Sequence, residues 1–237
     1  MTIRLFVETP LAASTEMALP PGPARHAQVR RVQPGELLIL FDGRGGEWLA
    51  RVTTMGRSDV RVAVEQHVEV DRELPLAVTL AVGMPANERM DILIEKATEL
   101  GVATVQPLLC ERSVLRLAGE RAERKREHWQ AVAVAASEQC GRTRVPVVEP
   151  VRALGAWLAS RPASSAGWLL SPSPSASRPA RPPTGPVFVL SGPEGGLSPA
   201  EEEAARAAGF VAISLGQRVL RAETAPLALL AWLGLAG

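Results

Sequence analysis

The sequence predicts an α/β chain in two parts: a small all-β N-terminal domain, then a larger domain of parallel strands covered by helices. Three observations carry this. The first part holds short runs of β-branched and bulky apolar residues, and from Ala77 onward strand-like and helix-like stretches alternate. Near the C-terminus two apolar strands each end in a polar loop that leads into a helix.

In chain order, LLILF (37–41), EWLARV (47–52) and VRVAVEQHV (60–68) read as strands, with DGRGG (42–46) turning between the first two. Several such strands suggest a small barrel or sandwich. DRELPL (71–76) reads as a linker, which sets the domains at 1–71 and 75–237. AVTLAVG (77–83) is a buried strand, and RMDILIEKATELG (89–101) is a helix with Ile92, Ile94 and Leu100 among its apolar positions. Gly101 stands where a helix C-terminal glycine is expected. VATVQPLL (102–109), a helix over about 119–140 and VPVVE (145–149) continue the alternation. Residues 171–186 hold six prolines and four serines in sixteen positions, a composition that predicts a disordered or mobile surface insert. VFVL (187–190) is a strand and SGPEGG (191–196) a glycine loop. Ser198, Pro199 and Glu201 fit N-cap, first-turn proline and capping-box partner of a helix reaching about Ala208. FVAISL (210–215) is the last strand, GQRVLRAET (216–224) the second polar loop, and APLALLAWLGLA (225–236) an apolar closing helix. Ligands of open α/β sheets bind at the carboxyl ends of strands, so these two loops are expected to meet there on neighbouring strands.

Composition narrows the function. Apolar residues make up 46% of the chain, enough for a packed core, and no stretch approaches a bilayer-spanning length. The start, MTIRLFVETP, lacks the pattern of a signal peptide. Cys110 and Cys140 lack CxxC spacing, and His26, His67 and His128 are scattered, so reduced cytoplasmic thiols and no metal are expected. The net charge is +1, but residues 24–31 carry three arginines and no acid, and residues 110–145 carry eight basic and five acidic side chains. Such clusters suit phosphates; for 120–127 a solvated helix face is the plainer reading.

Gly192, Gly195 and Gly196 let the backbone approach a ligand closely. The loop has neither the Lys-Ser/Thr ending of a phosphate-binding loop nor GxGxxG spacing, and alone it is as well read as a tight turn. The second loop, by contrast, packs two arginines, a glutamate and a threonine into 218–224 between strongly apolar segments. Polar groups concentrated at such a point favour a binding or catalytic role.

LSGPEGGLSPAEE together with LGQRVLRAETAPLALL resembles the signature of the SPOUT methyltransferases, and more narrowly the family that makes 3-methyluridine in 16S ribosomal RNA. EKATELGVATVQPLLCERSV (95–114), AVAVAASEQCGRTRVPVV (131–148) and RHAQVRRVQPGELLILFDGRG (25–45) resemble the family's other blocks, in order. The resemblance implies a PUA-like RNA-binding β-barrel, then a SPOUT α/β domain whose C-terminal segment forms a deep trefoil knot. It also implies S-adenosylmethionine as methyl donor, a homodimer, and 16S rRNA of the small ribosomal subunit as partner. Carried over by motif, the cofactor pocket draws on Leu190, Gly192, Glu194, Gly195 and Gly196, and on Leu215, Gly216, Leu220 and Arg221. Arg25, Arg30, Arg31 and Arg112 become candidates for RNA contact. The proline-rich insert, and RHAQVRRVQ where the family more often has paired histidines and VLR, depart from the family pattern.

A uracil N3 becomes a nucleophile only when its proton leaves, and the charge then spreads onto the flanking carbonyl oxygens. A well-aimed arginine stabilises that charge, and Arg142, Arg218 and Arg221 are the candidates. Glu138, Glu194 or Glu223 would accept the proton or hold an arginine in place, while Arg221 with Glu223 also reads as a structural ion pair. The alternatives are another SPOUT methyl transfer, to ribose 2′-oxygen or guanosine, and a non-catalytic ribosome-assembly factor that binds RNA. A nucleoside-phosphate hydrolase is disfavoured by the missing P-loop lysine and the absence of a carboxylate cluster for a metal.

Overall fold

The computed structural model describes residues 2–57, 59–86, 88–161, 166–173 and 176–236. The chain divides into two compact units, Met1–Glu73 with Ser137–Val145, and Leu74–Ala136 with Pro146–Gly237.

The first unit holds β1 (Arg4–Phe6), β2 (Thr15–Ala18), α1 (Pro21–Val29), β3 (Leu37–Phe41), β4 (Glu47–Met55) and β5 (Val60–Val68). Its sheet runs β1-β3-β4-β5-β2; β1 is parallel to β3 and the other pairs are antiparallel. Alternate residues point inward, so Leu38 and Leu40, Ala50 and Val52, and Val60, Val62 and Val64 share one core with Leu5 and Val7. Two register shifts in the β4–β5 ladder, at Leu49/Ala50 and Val52/Thr54, allow the sheet to bend around that core. The three longer strands follow the sequence reading, but β1, β2 and α1 do not. The first two are only three and four residues long. The helix α1 begins in a Pro-Pro-Gly-Pro run that reads as loop, yet proline suits the first turn, where backbone N–H groups have no helical acceptor.

The second unit contains β6 (Val78–Gly83), α2 (Glu88–Glu99), β7 (Thr104–Leu109), most of α3 (Gly119–Cys140), β8 (Val147–Val148), β9 (Arg152–Ala153), α4 (Leu154–Ser160), β10 (Ala166–Leu170), β11 (Val187–Ser191), α5 (Pro199–Ala207), β12 (Phe210–Ile213) and α6 (Thr224–Ala236). Every strand pair is parallel, in the order β12-β10-β11-β6-β7-β8, with β9 also on β7. Leu154, Trp157 and Leu158 of α4 and Ala205 of α5 pack with Ala81, Leu169, Leu190 and Phe210 of the strands. The helices α2 and α6 pack together, burying Met90, Leu93 and Ile94 and Leu229, Leu230 and Leu233. Burying these apolar stripes is what holds short helices in place.

Two expectations are corrected. The strands β11 and β12 are not neighbours, because β10 lies between them. The sequence reading assigns nothing to 152–170, which supplies β9, α4 and β10. In the 171–186 insert, Ser171 N donates to Ile213 O at 3.0 Å, and Ser214 N donates to Ser177 O at 2.9 Å. The segment thus returns along β12; its residues 174–175 lie outside the described residues.

Candidate functional site

A cavity of about 650 Å³ opens at the carboxyl ends of β10, β11 and β12, within the range of small-molecule sites. Three segments supply most of its wall, 169–172 at the end of β10, 191–197 at the end of β11 and 213–222 at the end of β12, with Arg89, Arg112, Glu202 and Ala225 beside them.

The first loop is braced from several sides. Ser198 Oγ accepts from Glu201 N at 3.3 Å and Glu201 Oε2 accepts from Ser198 N at 2.9 Å, the expected capping box of α5. Glu194 Oε1 accepts from Ala86 N at 2.9 Å and from Arg89 Nη1 at 3.2 Å. Arg112 Nη1 donates to Gly195 O at 3.0 Å and Leu197 O at 3.3 Å. Gly192 must be glycine for space: a Cβ there would lie 2.9 Å from Leu197 N and 3.0 Å from Gly196 C. Gly196 must be glycine for conformation, with φ +69° and nothing within 4 Å of a Cβ.

The second loop supplies charge. Arg218 and Arg221 line the cavity and are exposed, with no carboxylate partner among the described residues. The rim carboxylates are engaged, Glu194 with Arg89 and Glu202 with Arg206, each at 3.2 Å. The Glu223 Oε2 atom is buried and has no hydrogen-bond partner among the described residues. Beneath the first loop, burial pushes the Cys110 thiol up to about 12, helped by the Glu201 carboxylate and opposed by a hydrogen bond with Ser113. It is a packing residue, neutral at pH 7.

Gly192, Glu194, Gly195, Gly196, Leu215, Gly216, Arg218, Leu220 and Arg221 all reach the cavity wall. Leu190 does not; it is fully buried in the core behind it. Glu223 is not among the lining residues either. Arg112 lines the cavity but clamps the first loop by its carbonyls. Arg142 and Glu138 belong to the first unit and line no part of this cavity. Arg142 is 5% exposed and its Nε donates to Glu73 Oε2 at 2.9 Å. Glu138 Oε1 accepts from Phe6 N at 2.9 Å, with His26 Nδ1 at 3.2 Å from Oε2. Both sit in structural contacts. Arg25, Arg30 and Arg31 stand exposed on and just after α1. Sequence reasoning missed Leu169, Leu170, Ser171 and Pro172 of the lining, since β10 carried no recognised signal, and Arg89, since nothing local marks which end of α2 meets the cavity. Among the described residues no cluster of three or more His, Cys, Asp or Glu side chains converges as a metal site. Among the described residues no helix is long and apolar enough to cross a membrane.

The family model for an RNA methyltransferase domain matches residues 72–234, and one for an RNA methyltransferase PUA domain matches 24–65. Ribosomal RNA small subunit methyltransferase E of Bacillus subtilis is 32% identical over 210 residues, 84% of this chain and 81% of that protein. The chain belongs to the small-subunit ribosomal RNA methyltransferase E family. Its Synechocystis relative of the same name is 33% identical over 86% of this chain and 67% of that protein. A crystal structure of the Neisseria gonorrhoeae member bound to S-adenosyl methionine superposes with a TM-score of 0.92 at 34% identity, covering 98% of this chain and 96% of that one. A Legionella pneumophila methyltransferase in complex with the same cofactor gives 0.92 at 33% identity over 100% and 98%. The fold is therefore a PUA-like domain followed by a SPOUT-type α/β methyltransferase domain, and this chain is an RNA methyltransferase.

Proposed function

We propose that this methyltransferase transfers a methyl group from S-adenosylmethionine to N3 of a uridine in 16S ribosomal RNA. The observation that carries the reading is the cavity in which the glycine loop 191–197 and the arginine-bearing loop 213–222 meet. Its wall suits that donor. Gly192 and Gly196 let the loop hold a tight shape that a Cβ or an ordinary φ would deny, and Leu169, Ile213, Leu215 and Leu220 add apolar surface.

When bound, the donor supplies an electrophilic methyl and its own leaving group. The chain's residues do the rest. Glu194 and Arg112 fix the glycine loop so that its amides and carbonyls hold one orientation. Arg221, with Arg218 beside it in the wall, presents unpaired donors to the charge that develops on a uracil carbonyl oxygen. Glu223, two residues along, keeps one buried oxygen free to accept a proton or hold Arg221. A paired N3 edge is closed to such a site, so the uridine enters unpaired or flipped. Arg25, Arg30 and Arg31 would meet RNA phosphates on the PUA-like unit.

The proposal includes a homodimer in the cytoplasm. Helix α6 is apolar on all sides, yet only Pro226, Leu229, Leu230 and Leu233 are buried and Leu235 is 89% exposed. A second copy covering that face would account for it. It also includes domains at 1–71 and 75–237 and the trefoil passage of the C-terminal segment, which tracing 166–236 in a crystal would follow directly.

The test incubates purified small subunits, naked ribosomal RNA and assembled ribosomes with labelled donor and maps the product by mass spectrometry. Label at a uridine base, with a fragment mass placing it on N3, is the expected result. Label on a ribose oxygen or guanosine overturns the assignment of the acceptor atom. No donor binding by calorimetry favours an assembly factor.

A further inference from the structure

The geometry points to Arg178, on the proline-rich insert, as a substrate-binding residue that grips the RNA phosphodiester beside the target nucleotide. This rests on the functional reading above and goes beyond it, because the insert departs from the family pattern and none of the motifs reaches it.

Four observations place the residue. The insert is tied to β12 on the cavity side: Ser177 pairs with Ile213, Ser214 N donates to Ser177 O at 2.9 Å, and Ser171 and Pro172 line the cavity. One residue on, the Arg178 guanidinium lies over the second loop, with Nη2 3.1 Å from where a Cβ on Gly216 would stand. Gly216, at φ +126°, thus serves two ends: it lets the loop turn and leaves room for the guanidinium. The backbone of Arg178 is also restricted, since the next residue, Pro179, disfavours helical angles before it.

The side chain is exposed and has no carboxylate partner among the described residues. Arg218 and Arg221 in the adjacent loop are likewise unpaired, while Glu194 and Glu202 at the rim are already matched by Arg89 and Arg206. The mouth therefore carries an excess of positive charge and attracts an anion. Two anions come to this site: the carboxylate of the methyl donor and the phosphates of the RNA. Arg178 lies outside the set of lining residues. It reaches what remains at the mouth when a base has entered, the flanking phosphodiester, rather than what fills the cavity. An arginine in a constrained strap is well suited to that contact, with a planar fork matching two phosphate oxygens.

The test uses the full-length protein and Arg178→Ala, with Arg178→Lys as the charge-keeping variant. Binding of a fluorescent single-stranded fragment of small-subunit ribosomal RNA is followed by anisotropy across a series of KCl concentrations. Donor affinity is measured separately by calorimetry. Arg178→Ala is expected to weaken RNA binding about three- to tenfold at low salt and to make the slope of log affinity against log salt shallower by about 0.7. Arg178→Lys keeps most of that slope, and donor affinity is unchanged in both. Wild-type affinity and slope in Arg178→Ala would overturn the inference. So would loss of donor affinity with the RNA slope intact, which assigns the guanidinium to the donor's carboxylate. Because binding is read apart from turnover, a wild-type protein that fails to methylate ribosomal RNA overturns the functional reading alone.

Discussion

Replacing Gly192 with alanine asks how closely the first loop is fitted to its own backbone. The added Cβ would meet Leu197 N at 2.9 Å, Gly196 C at 3.0 Å and Gly196 Cα at 3.2 Å. All three are backbone atoms of one loop, so no side chain can swing aside. The loop itself must move by several tenths of an ångström. Its other side is held by Arg112 on Gly195 O and by Glu194 on Ala86 N, which resist that movement. Overpacking of this kind costs about 1–3 kcal/mol. If the loop must return to its present shape to bind, the same energy weakens the methyl donor roughly five- to 150-fold. Gly196→Ala separates crowding from conformation. It has open space around the new Cβ but φ +69°, so its penalty is the left-handed backbone, about 1–2 kcal/mol. Asparagine at 196 tolerates that region better and is expected to recover part of the loss. Calorimetry with S-adenosylmethionine, with melting temperature as the folding control, reads all three. A Gly192→Ala protein that binds the donor as wild type does would refute the reasoning, because the loop would then not be the wall of the donor's site.

Arg221→Ala is expected to stay folded and dimeric while losing methyl transfer at least a hundredfold, the scale for removing one charge-stabilising donor; near-normal turnover removes Arg221 from the mechanism. Arg142→Met removes the guanidinium from half-buried Glu73, which keeps the amides of Thr143 and Arg144, and should destabilise the protein by about 1–3 kcal/mol, while activity per folded molecule at low temperature is retained; a specific loss of turnover would return Arg142 to the chemistry. Burial of Glu47 works to raise its pKa, but hydrogen bonds from Arg4 and Arg72 outweigh it and hold the carboxyl below its ordinary 4.5. A depressed carboxylate stabilises the fold above its unfolded value and loses that contribution as pH falls through the folded one. The melting temperature should therefore drop below about pH 4.5, and Glu47→Gln should flatten that part of the profile. Cys110, buried and pushed up to about 12, should resist iodoacetamide in native protein at pH 8, where half-buried Cys140 is modified first; equal labelling rates would contradict its burial.

What the sequence disclosed and what it withheld divide along the range of the interactions. The capping box joins Ser198 and Glu201 across three residues, and the strands 37–41, 60–68 and 187–190 announce themselves by alternation or by runs of buried apolar side chains. Such signals are local and survive in a string of letters. The helix α1 and strand β10 were illegible because tertiary packing, not propensity, makes them: α1 starts in prolines, and Ala-Gly opens β10 between two partners that supply its order. The same division runs through the site. Glu194 and Arg112 stand out in the motifs as cofactor and RNA candidates, but the distant partners that each one holds do not. One holds an amide 108 positions away and the other two carbonyls more than 80 positions away. A charged residue in a binding motif has two physical futures, meeting the ligand or holding the loop that does, and only long-range contacts decide between them. By that measure Glu194, Arg112 and Arg142 make holding contacts, while Arg218 and Arg221 line the cavity with no carboxylate partner among the described residues, which is why we propose the latter two for the substrate.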